Sequence, residues 1–438
     1  MFYGWFDYRF VALLLFGGLI DYLVGQALMT AIRPCMRRTL LGISLAANLG
    51  ALAFFKYCHF FVPLFASMLR AAGLQIDPGT LNLVVPIGIS FFTLQRLSYT
   101  IEIYRKRFAA TRDPVAFFTF SCFFPLLMSG PIERATQLLP QFLKTRSFDL
   151  ERSKDALRLI LWGLFKKIVI ADNFAGRVGF VFTNYDRLAG IDLGAGAFLF
   201  AIQLYADFSG YSDIVLGISR LFGFRVTRNF AYPYFSRDMA EYWRRWHVSL
   251  SAWFRDYIFT PLTWNVNLKA HWRRMGIVLL TFTASGLWHG ASWTFIVWGV
   301  LNGLGFVPLV FGNASTRQTK QIAEGRMLPS VREGLQMVLL FAYVCVAWIF
   351  FRAASLEHAL RFLAHMLTHT WIVLPGAKWL LLLAAAFLLI EWVRRAKEHP
   401  LVLPGLPAIL RWTIYCALSL AIYYFGHLGW LDFIYTHF

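Results

Sequence analysis

His289 lies in the run Ser285–Gly290, SGLWHG, within an apolar stretch that continues ASWTFIVWG to Gly299. If that stretch crosses a bilayer, its imidazole is expensive to hold there, and intramembrane ionisable groups generally mark function. A neutral imidazole can take a proton from an attacking hydroxyl, which is general-base chemistry. Read as one helix, the stretch puts Ser285, His289, Ser292 and Trp293 on a common face, because spacings of three and four share a side. The competing reading is a packed histidine bonded to the next helix. A second histidine, His247, falls in Arg237–Leu262, RDMAEYWRRWHVSLSAWFRDYIFTPL. Trp243, Trp246, His247, Leu250, Phe254, Tyr257 and Ile258 recur there at three and four, the pattern of one strongly amphipathic helix. His247 lies on or beside its apolar face, where it either meets another deep polar group or belongs to an interfacial anchor.

Two further groups invite chemistry. Asp207 and Asp213, in QLYADFSGYSDIVLG (Gln203–Gly217), occupy a run too apolar for idle carboxylates. They could bind water, orient a histidine or cap a break at Ser209-Gly210, and the cap is the favoured reading. His358, His365 and His369 stand seven and four apart, a spacing open to metal binding. The segment around them, LEHALRFLAHMLTH, reads as an ordinary amphipathic helix, and no carboxylate or cysteine completes a site. No metal site is expected. The five cysteines are scattered without a C-x-x-C, so neither a disulfide framework nor a zinc site is indicated. G-x-S-x-G, P-loop, H-E-x-x-H and G-x-G-x-x-G patterns are all missing, which removes the usual support for serine hydrolases, NTPases, zincins and dinucleotide enzymes.

The elements that must position these residues are membrane helices. Apolar residues counted with Tyr make up 58% of the 438. Exchanging the 18 Tyr for the 32 Gly gives about 61%, against ~45–50% in soluble domains. Charged residues, at 15%, cannot supply a polar coat, and the mean hydropathy is +0.56. Stretches near the ~20 residues a span needs run Phe10–Met29, Leu40–Phe55, Leu81–Ile101, Ala189–Tyr205, Gly276–Gly299, Leu335–Phe351, Lys378–Trp392 and Ile409–Tyr424. Weaker ones lie at Phe60–Leu69, Phe117–Met128, Ala156–Ile170 and Phe295–Phe311, and several carry the Pro and Gly of re-entrant or broken helices. The expectation is an all-α, polytopic transmembrane helix bundle of about nine to eleven spans, one domain over residues 1–438. Thr316–Glu333 is the most plausible extramembrane loop.

Lys and Arg number 42 against 23 Asp and Glu, a formal charge of +19. The basic residues cluster between apolar runs (Arg33, Arg37, Arg38; Arg105, Lys106, Arg107, Arg112; Lys166, Lys167; Lys269, Arg273, Arg274; Arg394, Arg395, Lys397), as the positive-inside bias predicts. No nucleic-acid-binding motif accompanies them, so lipid and not nucleic acid is the expected partner. No cleavable signal peptide is evident at the start.

Taken in order, these segments resemble the membrane-bound O-acyltransferase family, in its bacterial alginate O-acetyltransferase-like branch. The likeness runs through NLGALAFFKY (Asn48–Tyr57), VVPIGISFFTLQRLSYTIEIYR (Val84–Arg105), FFPLLMSGPIER (Phe123–Arg134), QLYADFSGYSDI, NFAYPYFSRDMAEYWRRWHVSLSAWFRDYIFTPL (Asn229–Leu262), ASGLWHGASWTFIVWG (Ala284–Gly299) and WIFFRA (Trp348–Ala353). It implies a ring of tilted helices, thinned at the centre, with a tunnel joining the two faces. It aligns the family's catalytic histidine with His289 and its second motif histidine with His247. The implied activity is transfer of an acetyl group from a cytoplasmic donor, acetyl-CoA or another acyl thioester, to an exported polysaccharide, with no permanently bound cofactor. A periplasmic acyltransferase is an implied partner, and the bacterial inner membrane the implied location. Arg244, Arg245 and Arg255 are candidates for the donor phosphates, which a basic face would attract. Relatives carry one more apolar helix before the segment matching FYGWFDYRF. D-alanyl transfer to teichoic acids from a carrier protein is the near alternative. A transporter of polysaccharide or lipid precursors is the distant one, disfavoured because no inverted repeat is visible.

Overall fold

The computed structural model describes residues 3–5, 7–71, 84–264, 266, 270–312, 322–368 and 377–426. Among them the regular structure is entirely helical. The chain divides into two compact units, one of Met1–Asp149 with Ser219–Val226, the other of Leu150–Ile218 with Thr227–Phe438.

The first unit contains α1 (Tyr8–Thr30), α2 (Pro34–Leu52), α3 (Cys58–Ala71), α4 (Ile89–Tyr104), α5 (Pro114–Ser121) and α6 (Ala135–Phe142). Local chemistry starts these helices. Asp7 caps α1 by accepting from the Arg9 amide at 2.9 Å, and Asp113 caps α5 from the Ala116 amide at 3.1 Å, with Pro114 in the first turn. Apolar faces alone distinguish poorly between neighbouring helices in lipid, so polar side chains supply register. Asp21 of α1 is fully buried and accepts from Ser44 Oγ (2.6 Å) and Asn48 Nδ2 (2.9 and 3.0 Å) of α2. Ser44 in turn meets Thr100 of α4 at 3.0 Å. Arg37 gathers carbonyls that end two helices, donating to Leu28 O (2.6 Å), Ile103 O (3.2 Å) and Tyr104 O (2.8 Å).

The second unit contains α7 (Leu150–Leu164), α8 (Asp172–Thr183), α9 (Gly190–Leu221, whose last residues belong to the first unit), α10 (Met239–Arg245), α11 (Val248–Phe254), α12 (Thr260–Thr263), α13 (His271–His289), α14 (Trp293–Leu304), α15 (Val307–Phe311), α16 (Val331–Arg352), α17 (Leu356–Thr368), α18 (Lys378–Arg394) and α19 (Ala408–Phe425). Wider π-helical turns at Phe165–Ala171 and Arg255–Phe259 interrupt otherwise α-helical runs.

Among the described residues, six segments are long and apolar enough to cross a membrane by length and composition: Tyr8–Thr30, Pro34–Tyr57, Gly190–Leu221, Trp293–Phe311, Val331–Arg352 and Ala408–Phe425. This is a polytopic membrane protein. Several expected elements take another form. The stretch Gly276–Gly299 is not one span but a hairpin, because α13 ends at His289 and α14 begins only after Ser292. Ser292 and Trp293 therefore do not share a helix face with His289. The expected break at Ser209-Gly210 is absent, since α9 runs unbroken through it. Arg237–Leu262 is not one helix but α10, α11, a π-helical turn and α12 in succession. Phe117–Met128 is helical only to Ser121, and the segment around Leu81 begins its helix at Ile89, with residues 81–83 outside the described residues.

Candidate active site

His289 is the last residue of α13 and is buried. Glycines bring α14 back against α13 at backbone distance. A Cβ on Gly286 would stand 2.2 Å from the Phe295 carbonyl oxygen, and one on Gly299 would stand 2.4 Å from the Phe282 carbonyl oxygen. Small residues four apart allow this approach, and the hairpin has two such pairs, Gly286/Gly290 and Gly299/Gly303. Ser292 restarts the helix by accepting from the Thr294 amide at 3.2 Å. The fold-back lays Trp298 of α14 edge-on to the imidazole, with ring centres 4.9 Å apart, and Phe351 of α16 closes another side at 5.4 Å.

His247 reaches the same aromatic wall from a different backbone. It separates α10 from α11 and has φ 42°, in the left-handed region that a side chain normally avoids. Its ring is fully buried against Phe208 of α9 (4.7 Å) and Phe230 (6.3 Å). Trp288 neighbours both histidines, 6.4 Å from His247 and 4.9 Å from His289 by ring centres. Trp246, next to His247, packs on Trp348 at 5.0 Å, and Trp348 stacks on Trp298 at 5.5 Å. The structure thus gathers both histidines into one cluster of indole and phenyl rings.

A cavity of about 500 Å³ lies in the same unit, walled by α10, α11, α13 and the segment around α15. Its lining is largely apolar, with Arg244, Arg255 and Arg274 as its cations and Ser285, one helical turn before His289, in its wall. Of the three arginines singled out in the sequence, Arg244 and Arg255 line this cavity. Arg245 does not: its guanidinium is held at 2.6 Å by Glu241, which also binds Arg237 at 3.0 Å. Arg274 escaped notice as more than part of a basic cluster.

Asp207 and Asp213 have no break in α9 to cap, and both carboxylates pair with lysines. Lys167 Nζ sits 2.9 Å from Asp207 and 2.8 Å from Asp172, and Lys166 Nζ sits 2.8 Å from both Asp213 and Ser209 Oγ. The two lysines are therefore inside the unit and not in a basic loop. They occupy the π-helical turn Phe165–Ala171. Close by, Tyr205 donates to buried Glu391 at 3.0 Å. His358 stacks on Tyr185 at 4.8 Å and His365 meets the same ring edge-on at 6.4 Å, while His369 lies outside the described residues. Among the described residues no group of three or more His, Cys, Asp or Glu is placed to hold a metal ion.

The sequence profile of the MBOAT, or membrane-bound O-acyltransferase, family matches residues 88–323, which include both histidines and the cavity. The chain belongs to the membrane-bound O-acyltransferase family. As an acyltransferase it is 35% identical over 367 residues to "Probable alginate O-acetylase AlgI" of Azotobacter vinelandii, covering 84% of this chain and 70% of that one. It is 33% identical over 392 residues to the peptidoglycan O-acetyltransferase of Helicobacter pylori, covering 83% and 71%. The teichoic acid D-alanyltransferase of Streptococcus thermophilus is 29% identical over 295 residues, covering 61% and 67%. The first two names describe O-acetylation, of alginate and of peptidoglycan, and the third D-alanyl transfer to teichoic acid.

Proposed function

We propose that this acyltransferase moves an acetyl group from a cytoplasmic thioester, acetyl-CoA or an acylated carrier, for O-acetylation of an exported polysaccharide, with His289 as the general base. The observation that carries the reading is the position of His289. It ends a helix one turn beyond Ser285, and Ser285, not His289 itself, lines a largely apolar cavity that also bears Arg244, Arg255 and Arg274. A thioester arm suits the apolar lining, and Arg244, Arg255 and Arg274 suit its phosphates.

The chemistry asks little of the protein beyond placement. The imidazole of His289 accepts the proton of the acceptor hydroxyl as that oxygen attacks the thioester carbonyl carbon. The C–S bond then breaks, and the thiolate leaves with the proton returned by the imidazolium. His247, which shares Trp288 as a ring neighbour, orients or polarises a reacting group. General-base catalysis of this kind contributes about 10²–10⁴ in rate. His289→Ala, at wild-type amounts in the membrane, is therefore expected to lower acetylation of the cell's exported polysaccharide by that factor. Normal acetyl content in that strain would falsify the role.

The acceptor is reached from the outer face of the bacterial inner membrane, either directly or through a periplasmic acyltransferase that takes over the acetyl group. D-alanyl transfer is the second reading, motivated by the teichoic acid relative. Protection of the purified protein by acetyl-CoA, without protection by a D-alanylated carrier, favours acetylation, and the reverse favours D-alanylation.

A further inference from the structure

The backbone that presents His247 has a support outside its own helix. A helix beginning at Val248 exposes its first amide N–H groups, and His247, the residue in position to cap them, makes no side-chain cap. Those amides are instead taken by Asn229, a residue eighteen positions earlier in an irregular segment. The Val248 amide donates to the Asn229 carbonyl oxygen at 3.0 Å, and the Ser249 amide donates to Asn229 Oδ1 at 3.2 Å. Asn229 Nδ2 donates to Ser212 Oγ of α9 at 3.2 Å, and the residue is fully buried. One side chain thus caps α11 and ties it to α9, the helix whose Phe208 packs on the His247 ring.

We infer that Asn229 is a positioning residue for His247: by capping α11 from outside, it leaves the imidazole free of that duty and holds residue 247 in its left-handed conformation. Asn suits the task because one planar amide supplies both an acceptor for the helix and a donor for the serine. Aspartate preserves the acceptor at the helix start, where negative charge is favoured, and the Ser212 hydroxyl can turn to donate to it. Alanine preserves only the backbone carbonyl.

The inference rests on His247 contributing to acyl transfer, and the test separates the two. Asn229→Ala, Asn229→Asp, His247→Ala and the Asn229→Ala/His247→Ala double variant are compared in cells, by the initial rate of acetyl incorporation into exported polysaccharide at matched membrane amounts. Displacing a catalytic group by about 1 Å can cost about 100-fold. Asn229→Ala is expected to lose about ten- to 100-fold, Asn229→Asp to recover most of it, and the double variant to be no slower than His247→Ala alone. Ser212→Ala, which removes only the acceptor of Nδ2, is the milder probe should Asn229→Ala fail to accumulate. Its loss is expected to be several-fold and likewise to vanish when His247 is already Ala. Undiminished activity in His247→Ala would sink the role of His247 and this inference together. A strong His247→Ala defect that multiplies with the Asn229 or Ser212 defect would overturn the inference alone.

Discussion

His289 ends a regular helix, and what places it repeats along that helix: glycines four apart that admit α14, and rings that follow from the close approach. His247 stands where no helix is regular. Its backbone is left-handed, its helix is capped by a distant side chain, and the wall behind it belongs to α9. Both imidazoles end up against Trp288. Helix periodicity can bring a group to a site, but it cannot aim two groups at one point from neighbouring elements. The second group needs irregular backbone, and irregular backbone needs polar bonds to hold it.

The largest effect should appear where the polar side of this comparison is broken. Lys167 lies between Asp207 and Asp172, and Asp207 adjoins the Phe208 that packs on His247. Lys167→Met withdraws the ammonium from a nearly fully buried carboxylate, a change that costs about 3–5 kcal/mol. Thermal unfolding in detergent should show a large drop in Tm, and Lys167→Met/Asp207→Asn should regain much of it. A double variant no more stable than the single one would mean that Lys167 holds the unit by packing and not by charge.

A smaller loss should follow from disturbing the periodic side. Gly286→Ala places a methyl group 2.2 Å from a backbone oxygen that cannot swing aside, so α13 and α14 must separate. Overpacking of this kind costs about 1–3 kcal/mol. The same separation moves Trp298 from His289, so activity should fall further than stability does. Parallel measurement of Tm and acetylation rate checks this; equal retention of both would show that the hairpin does not set the distance between those rings.

The contrast also explains what could be read in advance. SGLWHG stands out in the sequence because a histidine in an apolar run is rare, and family resemblance attaches to that block. The hairpin was hidden because glycine and serine pass unremarked inside a membrane span, although Gly286/Gly290, Gly299/Gly303 and the Ser292-x-Thr294 cap were all visible. The amphipathic period through Arg237–Leu262 is real, but it continues across a break that only φ at His247 reveals. Lysines at 166 and 167 read as a basic loop because, Asp172 apart, their partners are some forty residues away on α9. They sit on a π-helical turn, which leaves no compositional trace. Asn229 was passed over for the same reason: a single polar residue in a loop gives no sign of the helix it caps.

The finest test of the comparison removes the ring and keeps only the question of backbone. His247→Ala and His247→Gly both lack the imidazole and should lose the same activity. Their stabilities should differ. With φ at 42°, a Cβ is disfavoured by about 1–2 kcal/mol, which glycine avoids. Glycine in turn gives the unfolded chain more freedom, which costs about 0.4–1 kcal/mol. The first term exceeds the second, so His247→Gly should be the more stable by roughly 0.5–1 kcal/mol, read as a higher Tm in detergent. At an interior helix position such as Thr283 of α13 the order should reverse, Ala above Gly, by about 0.5–1 kcal/mol. If Ala is the better replacement at both positions, residue 247 relaxes into an ordinary helix once its ring is gone. The left-handed turn would then be held by the imidazole and its aromatic neighbours, and not by Asn229.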